Sequence, residues 1–265
     1  TRLRAEIVAL GGEVRFGARM DELLLRGNQV AGVRVGRESL RSPAVILAIG
    51  HSARDSYAML RRAGVAMEPK PMAVGVRIEH PRAFIDAAQY GDQAPLLSAA
   101  DYSLTHRHGD LAVYSFCMCP GGHIVCCASE PERLVTNGMS YHARDAIHSN
   151  SALVVAVHPA RLGWRDPLDG IAFQREIEAR AYRAGGGGYR APAQRAADFV
   201  AGRPSDDLPA SSYRPGLSSA PMDDALPPAV CNALRAALAQ FDRRIPGFIQ
   251  QGLLLAPETR TSSPV

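Results

Sequence analysis

The sequence contains neither of the glycine-rich motifs that commonly bind nucleotide phosphates. It has no G-x-G-x-x-G and no G-x-x-x-x-G-K-[ST], the patterns that place backbone N–H groups and a helix N-terminus around a phosphate. The glycine run at 185–188 follows a helical pattern rather than a strand, so it indicates a helix stop and a flexible loop. We therefore expect no phosphate-binding loop in this chain.

Lysine is almost absent. It occurs once, at Lys70, among 30 basic residues, so the other basic side chains are arginines. The formal net charge is only +4, and the chain has no run of five or more like charges. A nucleic-acid groove needs clustered basic residues with interleaved aromatic side chains, so we expect no nucleic acid among the partners.

Long apolar runs are also missing. No stretch of 18 apolar residues occurs, which excludes a transmembrane helix, and the first residues lack the apolar core of a signal peptide. The five cysteines are an odd number and four of them fall within 117–127, whereas disulfide frameworks spread cysteines through a chain. We expect a reducing, cytoplasmic setting and no membrane association.

The first part of the chain predicts two helices with strands between them. The predicted elements are a helix over 3–10, a strand over 13–16, a hairpin of 23–25 with 29–35, a strand over 44–49 and a helix over 57–62. The run 44–49 is short, apolar and β-branched and ends at Gly50, which is typical of a parallel strand buried on both faces.

Composition changes at Glu68-Pro69-Lys70-Pro71, where we place a domain boundary. The elements predicted beyond it are strands over 72–78, 111–116, 123–128 and 152–157, helices over 173–181, 193–200 and 228–241, and a short strand over 253–256. Sequential strands on short turns indicate an antiparallel or mixed sheet. The predicted fold class is α/β in the broad sense, of the α+β kind.

Six separated runs resemble one family. They are Val45–Asp55, Gly75–Pro81, Tyr114–Gly122, Thr136–Asp145, Ala191–Arg195 and Glu258–Pro264. Together they resemble the uncharacterised FAD-dependent dehydrogenases, or NAD(FAD)-utilizing dehydrogenases. These are large bacterial flavoproteins distantly similar to fumarate-reductase-type and HI-type flavoproteins. The resemblance covers essentially the whole chain.

The resemblance implies a FAD/NAD(P)-binding domain whose sheet is interrupted by an inserted domain with a mixed or antiparallel sheet and helices. Residues 1–68 would be the C-terminal part of the FAD-binding domain, 69–250 the inserted substrate or cap domain, and 251–265 the return to the FAD-binding domain. The glycine loop of such proteins would precede this chain. The chain is thus expected to be an interior part of a FAD-dependent oxidoreductase, inactive alone and binding FAD only within the intact protein.

One segment expected to approach the flavin comprises Ile49, Gly50, His51 and Ser52. It lies at the carboxyl end of the predicted parallel strand, where dinucleotide cofactors bind, and glycine lets a backbone approach a ligand closely. An ordinary glycine turn explains the same residues. Many flavoproteins have Ala-Thr-Gly here, so a threonine hydroxyl role is absent from this chain.

A second segment expected at the cofactor comprises Arg260, Thr261, Ser262 and Ser263. Its guanidinium and hydroxyls can hydrogen-bond flavin oxygens or phosphate. The alternative is a cap for a following helix.

Cys117 and Cys119 begin a segment that also contains His123, Cys126 and Cys127. A C-x-C on a strand places both thiols on one face, but adjacent Cys126 and Cys127 would point to opposite faces, which is unfavourable for tetrahedral zinc. Three interpretations stay open: a metal site, a redox or flavin-facing thiol pair, and small buried apolar residues. We name Cys117 and Cys119 as catalytic candidates and expect no metal.

Polar side chains concentrate in the run 136–145. Tyr141 and His142 could supply proton transfer, and Arg144 could clamp a substrate carboxylate. A polar loop held by its own turn hydrogen bonds explains the same composition. We name these three residues as further catalytic candidates, with the loop as the alternative.

The expected partners are an unknown small-molecule substrate and NAD(P)H as a candidate reductant. The alternative function is a binding or interaction module of a flavoprotein whose FAD is not catalytic. Self-association is also expected, because a parallel strand without neighbours exposes apolar faces in the first sixty residues.

Overall fold

The computed structural model describes residues 2–263 and residue 265. Thr1 and Pro264, which fall in the first and the last predicted segments, lie outside the described residues. The chain divides into two compact units, Thr1–Met67 and Glu68–Val265. The assignment of 1–68, 69–250 and 251–265 to FAD-binding, inserted and returning segments stays a prediction.

The first unit combines two helices with a small antiparallel sheet. Its elements are α1 (Arg2–Ala9), β1 (Glu22–Arg26), β2 (Gln29–Val35), β3 (Glu38–Arg41) and α2 (Arg54–Arg62), with sheet order β1-β2-β3. Leu23, Met59 and Leu60 form its buried core. Several of its apolar side chains are exposed: Leu3, Ile7, Val8, Leu10, Phe16, Ile46 and Leu47.

The hairpin predicted around Gly27-Asn28 is present as β1 and β2. The strands predicted over 13–16 and 44–49 are wrong, because neither segment pairs with a strand among the described residues. A strand requires a neighbour to complete its backbone hydrogen bonds. Ile46 is 95% exposed, so the run 44–49 is not buried on both faces as its apolar composition predicted.

A seven-stranded sheet organises the second unit. Its strands and those of a separate pair are β4 (Met72–Pro81), β5 (Thr105–His108), β6 (Leu111–Cys119), β7 (His123–Cys126), β8 (Thr136–Met139), β9 (His148–Val157), β10 (Ala191–Arg195), β11 (Leu217–Ser219) and β12 (Leu253–Glu258). The large sheet has the order β11-β10-β12-β4-β9-β6-β5, while β7 pairs with β8. The β10–β11 pairing is parallel and the others are antiparallel, so the sheet is mixed.

Helices cover this sheet. They are α3 (Arg82–Tyr90), a 3₁₀ segment (Gly91–Leu96), α4 (Pro159–Leu162), α5 (Asp169–Ala184), α6 (Ala196–Ala201), α7 (Met222–Ala225), α8 (Pro228–Arg244) and α9 (Phe248–Gln251). α8 begins at Pro228, which suits a first turn because its missing N–H would have no partner there. The residues predicted for its apolar face are all buried: Val230, Leu234, Leu238 and Phe241.

β4 separates the main core from a polar layer. Side chains alternate across a strand, so Val74, Val76 and Ile78 enter the core to which α8 contributes, while Arg77 and Glu79 point to the other face. Both charged residues are buried. A buried charge needs hydrogen-bonded partners, and this requirement locates the candidate site.

The helices with mixed and antiparallel sheets confirm the predicted α+β fold class. The helix predicted over 193–200 is wrong at its start, because residues 191–195 pair as β10. β12 lies between β10 and β4, which places Leu253–Glu258 inside the sheet of the second unit. Every described helix is too short or too polar to serve as a membrane span.

Candidate functional site

A buried polar cluster surrounds Arg77, which is fully buried. Its Nε and Nη2 donate to Asn150 Oδ1 at 3.2 and 2.6 Å, and its Nη1 donates to Glu258 Oε2 at 3.3 Å. Nη2 also donates to the Cys117 carbonyl at 3.0 Å and lies 3.6 Å from Cys119 Sγ. We call these five residues the Arg77 cluster.

Cys117 and Cys119 lie at an irregular end of β6. Phe116 is opposite Ala152 of β9, and Cys119 is opposite Asn150, so β6 contains one extra residue between the two pairings. Such a bulge bends a strand and redirects its side chains. Cys117 takes a left-handed conformation with φ of 47°, which residues other than glycine rarely adopt.

Glu258 reaches the cluster from the end of β12. It lies opposite Gly75 of β4, beyond an irregularity that follows Leu255. Burial raises the pKa of Glu258 to about 7, and the guanidinium of Arg77 acts in the opposite direction. Arg77 and Glu258 therefore form a buried ion pair. The loss of hydration raises the pKa of the Glu258 carboxyl group by more than the attraction of the Arg77 guanidinium lowers it.

Burial also affects two other groups of the cluster, the Cys119 thiol and the side-chain amide of Asn150. Burial raises the pKa of the Cys119 thiol, and Arg77 partly opposes this rise, so burial favours the thiol over the thiolate. Asn150 Nδ2 is buried and has no hydrogen-bond partner among the described residues. The cluster thus contains one unsatisfied donor, which is uncommon because buried polar groups are normally paired.

Gly138 of β8 closes the cluster on the side of the β7–β8 pair. A Cβ atom added to Gly138 would lie 2.0 Å from Arg77 Nη2 and 2.4 Å from Asn150 Oδ1. Both distances are far shorter than van der Waals contact. Only glycine therefore leaves room for the guanidinium and the carboxamide at this position.

A second buried ion pair lies between α5 and the residues after β12. Arg260 Nε and Nη2 each lie 3.1 Å from an oxygen of Glu178, and Arg260 Nη1 donates to Ser129 Oγ. Thr259 Oγ1 donates to Glu178 at 2.9 Å, and Gln174 Nε2 donates to the Thr259 carbonyl at 2.8 Å. This bidentate pairing is the strong form of an arginine–carboxylate contact.

The predicted catalytic residues fall into two groups. Cys117 and Cys119 belong to the Arg77 cluster, whereas Tyr141, His142 and Arg144 are exposed on the loop after β8. The side chains of this loop are therefore open to solvent rather than gathered with the buried charges. The catalytic roles predicted for all five residues stay predictions.

Hydrogen bonds hold this exposed loop beside the turn that follows Cys119. Ser140 Oγ donates to the Pro120 carbonyl at 2.7 Å, and the Ala146 N–H donates to the Gly121 carbonyl at 3.3 Å. The loop and the C-x-C segment are thus neighbours in the fold, although they are separate in the sequence.

The predicted cofactor residues of the first unit surround a glycine turn. Ile49 is partly buried against the small core of that unit, and His51 Nδ1 lies 2.8 Å from Ser52 Oγ. Gly50 has φ of 69°, and a Cβ added to it would meet no described atom within 4 Å. Its conformation, rather than a close contact, therefore requires glycine.

The predicted cofactor residues near the end of the chain mostly bind within the second unit. Arg260 is neutralised by Glu178, Thr261 Oγ1 donates to the Ala73 carbonyl at 3.1 Å, and Ser263 Oγ donates to the Val265 carbonyl at 2.8 Å. The side chain of Ser262 is exposed. As arranged, these residues do not fit the phosphates of FAD, because their one guanidinium is already paired. Their contact with FAD stays a prediction.

Sequence reasoning missed Arg77, Glu258 and Glu178. A signal for Arg77 exists, since charges at 77 and 79 alternate with apolar residues in a predicted strand and period two places both on one face. No comparable pattern pairs Arg77 with Glu258, because the two residues are 181 positions apart.

The cysteine segment holds no metal-binding arrangement in the part of the chain that the structure describes. No three His, Cys, Asp or Glu side chains are grouped there to hold an ion. The five cysteines are all free, so the thiol interpretations concern reduced cysteines.

The chain is similar to a protein family and to a bacterial relative. The family described as "FAD-dependent protein, C-terminal domain-like" matches residues 71–261. An uncharacterised protein of Clostridium beijerinckii is 45% identical over 270 residues, covering 99% of this chain and 51% of the relative. The chain therefore spans about half the length of that relative.

Proposed function

The chain belongs to the FAD-dependent protein, C-terminal domain-like family, and from this premise we propose that it is part of a FAD-dependent oxidoreductase. In this proposal the second unit roofs the flavin, and other parts of the protein bind the phosphates of FAD. The observation that carries the proposal is the family match over 71–261, which falls within the second unit, Glu68–Val265.

The absence of both phosphate-binding motifs from this chain supports the proposal that other parts of the protein bind the phosphates of FAD. A chain that lacks both glycine-rich patterns is suited to covering a cofactor rather than to holding its phosphates. The internal pairing of Arg260 with Glu178 supports the same proposal, because the guanidinium nearest the end of the chain is not free for an anion.

The Arg77 cluster is the part of the second unit in which we place the proposed proton exchange. Perturbed buried charges concentrate at functional sites, and a carboxyl group with a pKa of about 7, such as Glu258, can give or take a proton at neutral pH. When bound, the flavin supplies the electron chemistry. The contribution proposed for Arg77 and Glu258 is to hold the C-x-C segment and to exchange a proton.

The resemblance to NAD(FAD)-utilizing dehydrogenases and HI-type flavoproteins extends the proposal. The protein would be a cytoplasmic dehydrogenase that takes electrons from NAD(P)H or from a small-molecule substrate. The exposed apolar side chains of the first unit support self-association.

Anaerobic reduction of the flavin tests this function. The complete gene product that contains this chain is purified, and its flavin absorbance is followed as NADH, NADPH or candidate substrates are added. We expect bleaching of the flavin band. The rate should fall in Glu258→Gln and stay unchanged in Glu176→Gln, an exposed control on α5.

A flavin that none of these reagents reduces would contradict the oxidoreductase proposal. It would favour the alternative, in which FAD is structural and the region binds a partner. Equal rates for Glu258→Gln and wild type would remove the proton role of Glu258 and leave the family assignment intact.

A further inference from the structure

We propose that Cys117 and Cys119 form a reversible disulfide by exchange with an external disulfide, with Cys117 as the attacking thiol and Cys119 as the resolving thiol. This activity goes beyond the proposed flavin function. The exchange needs no flavin, so its test and the test of FAD chemistry fail or succeed separately.

The geometry of β6 places the two thiols within reach of each other. Residues two apart span at most about 7 Å between Cα atoms, close to the upper limit of about 6.8 Å for a disulfide. Cys119 Sγ donates to the Cys117 carbonyl at 3.4 Å. The Cys119 side chain therefore already points back toward Cys117.

The two cysteines differ in the way that an attacking and a resolving thiol differ. Cys117 is exposed, whereas Cys119 is buried and 6% exposed. An external disulfide can therefore reach Cys117 but not Cys119. The left-handed φ of Cys117 is a strained conformation of the kind that gathers at functional sites.

Arg77 connects both residues. Its Nη2 donates to the Cys117 carbonyl at 3.0 Å and lies 3.6 Å from Cys119 Sγ. A guanidinium beside a thiol stabilises the thiolate, and this opposes the rise in the pKa of Cys119 that burial causes. Arg77 is thus a positioning residue that fixes the bulge and assists the resolving step.

The exchange takes place in two steps. The Cys117 thiolate attacks one sulfur of the external disulfide, which forms a mixed disulfide and releases one thiolate that takes up the proton lost by Cys117. Cys119 then loses its proton and attacks the Cys117 sulfur, and the second external thiolate leaves and takes up the proton lost by Cys119. Two protein thiols are oxidised to one disulfide, and one external disulfide is reduced to two thiols.

Cys126 and Cys127 are the competing pair. The Cys127 residue is exposed. The partial burial of its thiol and the nearby Glu258 carboxylate raise the pKa of Cys127 above its ordinary value, which lowers the fraction of Cys127 present as thiolate. Cys127 directly follows the last residue of β7, Cys126, and its N–H continues the pairing by donating to the Val135 carbonyl, so the two adjacent side chains point to opposite faces. Their replacement by serine gives a control background in which only Cys117 and Cys119 can pair within this segment.

The test treats the full chain with oxidised glutathione, blocks remaining thiols with N-ethylmaleimide and measures the mass of the tryptic peptide 108–133, which contains both pairs. In the Cys126→Ser/Cys127→Ser background we expect a peptide that has lost two hydrogens and carries no glutathione. Dithiothreitol should restore both thiols. Adding Cys119→Ser should trap glutathione on Cys117, whereas adding Cys117→Ser should leave Cys119 unmodified.

Two results would overturn the proposal. The first is observed under conditions in which glutathione modifies Cys117 of the Cys119→Ser variant. It is a wild-type protein in which Cys117 and Cys119 both remain thiols, or in which Cys117 keeps its bound glutathione. The other is a disulfide that maps to Cys126 and Cys127. If the Cys126→Ser/Cys127→Ser protein folds poorly, the wild-type peptide 108–133 is used instead. Its fragmentation between Cys119 and Cys126 in the mass spectrometer shows which of the two pairs contains the disulfide.

Discussion

His80 of β4 combines burial with a defined tautomer. Its Nε2 lies 2.8 Å from the Phe248 carbonyl, which can only accept a hydrogen bond, so Nε2 carries the ring proton. The ring packs against Phe84 and Phe248. Burial lowers the pKa of His80 from 6.5 to about 4, so the folded protein keeps this histidine neutral in mild acid.

We predict that this histidine destabilises the fold as the pH falls from 6.5 toward 4. The unfolded chain binds a proton at His80 in this window and the folded chain does not, so stability is present above 6.5 and lost below it. Each pKa unit corresponds to about 1.4 kcal/mol. His80→Gln keeps a donor for Phe248 and should flatten this part of the pH dependence in guanidinium denaturation. Parallel pH profiles for the two proteins would contradict the assignment.

Gly138 provides a steric prediction at the same scale. Gly138→Ala places a methyl group against Arg77 and Asn150, so we expect a loss of about 1–3 kcal/mol or more, as in overpacked cores. The control is Met139→Ala, a change of a 42% exposed side chain on the same strand, which should have a much smaller effect. Urea denaturation measures both, and an unaltered stability of Gly138→Ala would show that the cluster is looser than described.

Among the elements, α8 contributes a large share of the core. Leu234 is 1% exposed in the core cluster that includes β4. Leu234→Ala should reduce the free energy of unfolding by about 2–5 kcal/mol, the range for buried leucines. Asn232→Ala, on the exposed side of the same helix, should change it by about 0.5 kcal/mol or less. Similar losses for both variants would indicate that α8 does not pack as described.

The helices and strands also show which parts of the fold can be predicted from the sequence alone. The 3.6-residue spacing of Val230, Leu234 and Leu238 predicts α8 correctly, because the amphipathic pattern and the first-turn Pro228 indicate the same boundary. The run 44–49 fails because composition signals a buried strand but cannot supply a pairing partner. The Arg77–Glu258 pair could not be predicted, since the register between β4 and β12 and the irregularity after Leu255 bring the two residues together.

At the scale of the molecule, the two units differ in the size of their cores. All residues of the main core cluster lie between positions 72 and 256, whereas the described part of the first unit has a core of three buried apolar residues. Small domains bury a smaller fraction of their surface on folding than large ones, so their stability is marginal. The second unit is therefore expected to be the more stable of the two.

We predict that residues 68–265, expressed alone, unfold in one cooperative transition. Residues 1–67 alone should show no such transition, because three buried side chains do not offset the loss of chain entropy. Thermal circular dichroism and amide exchange measure both fragments. A non-cooperative melt of 68–265 would contradict the division into units.

Bound flavin is the measurement that decides whether this chain is part of a FAD-dependent protein without holding the phosphates of FAD. FAD released on denaturation is quantified for the complete gene product and for this 265-residue chain after equal incubation with FAD. We expect stoichiometric FAD in the complete protein and none retained by the chain alone. A complete protein that binds no FAD, or a chain that retains it tightly, would contradict this proposal.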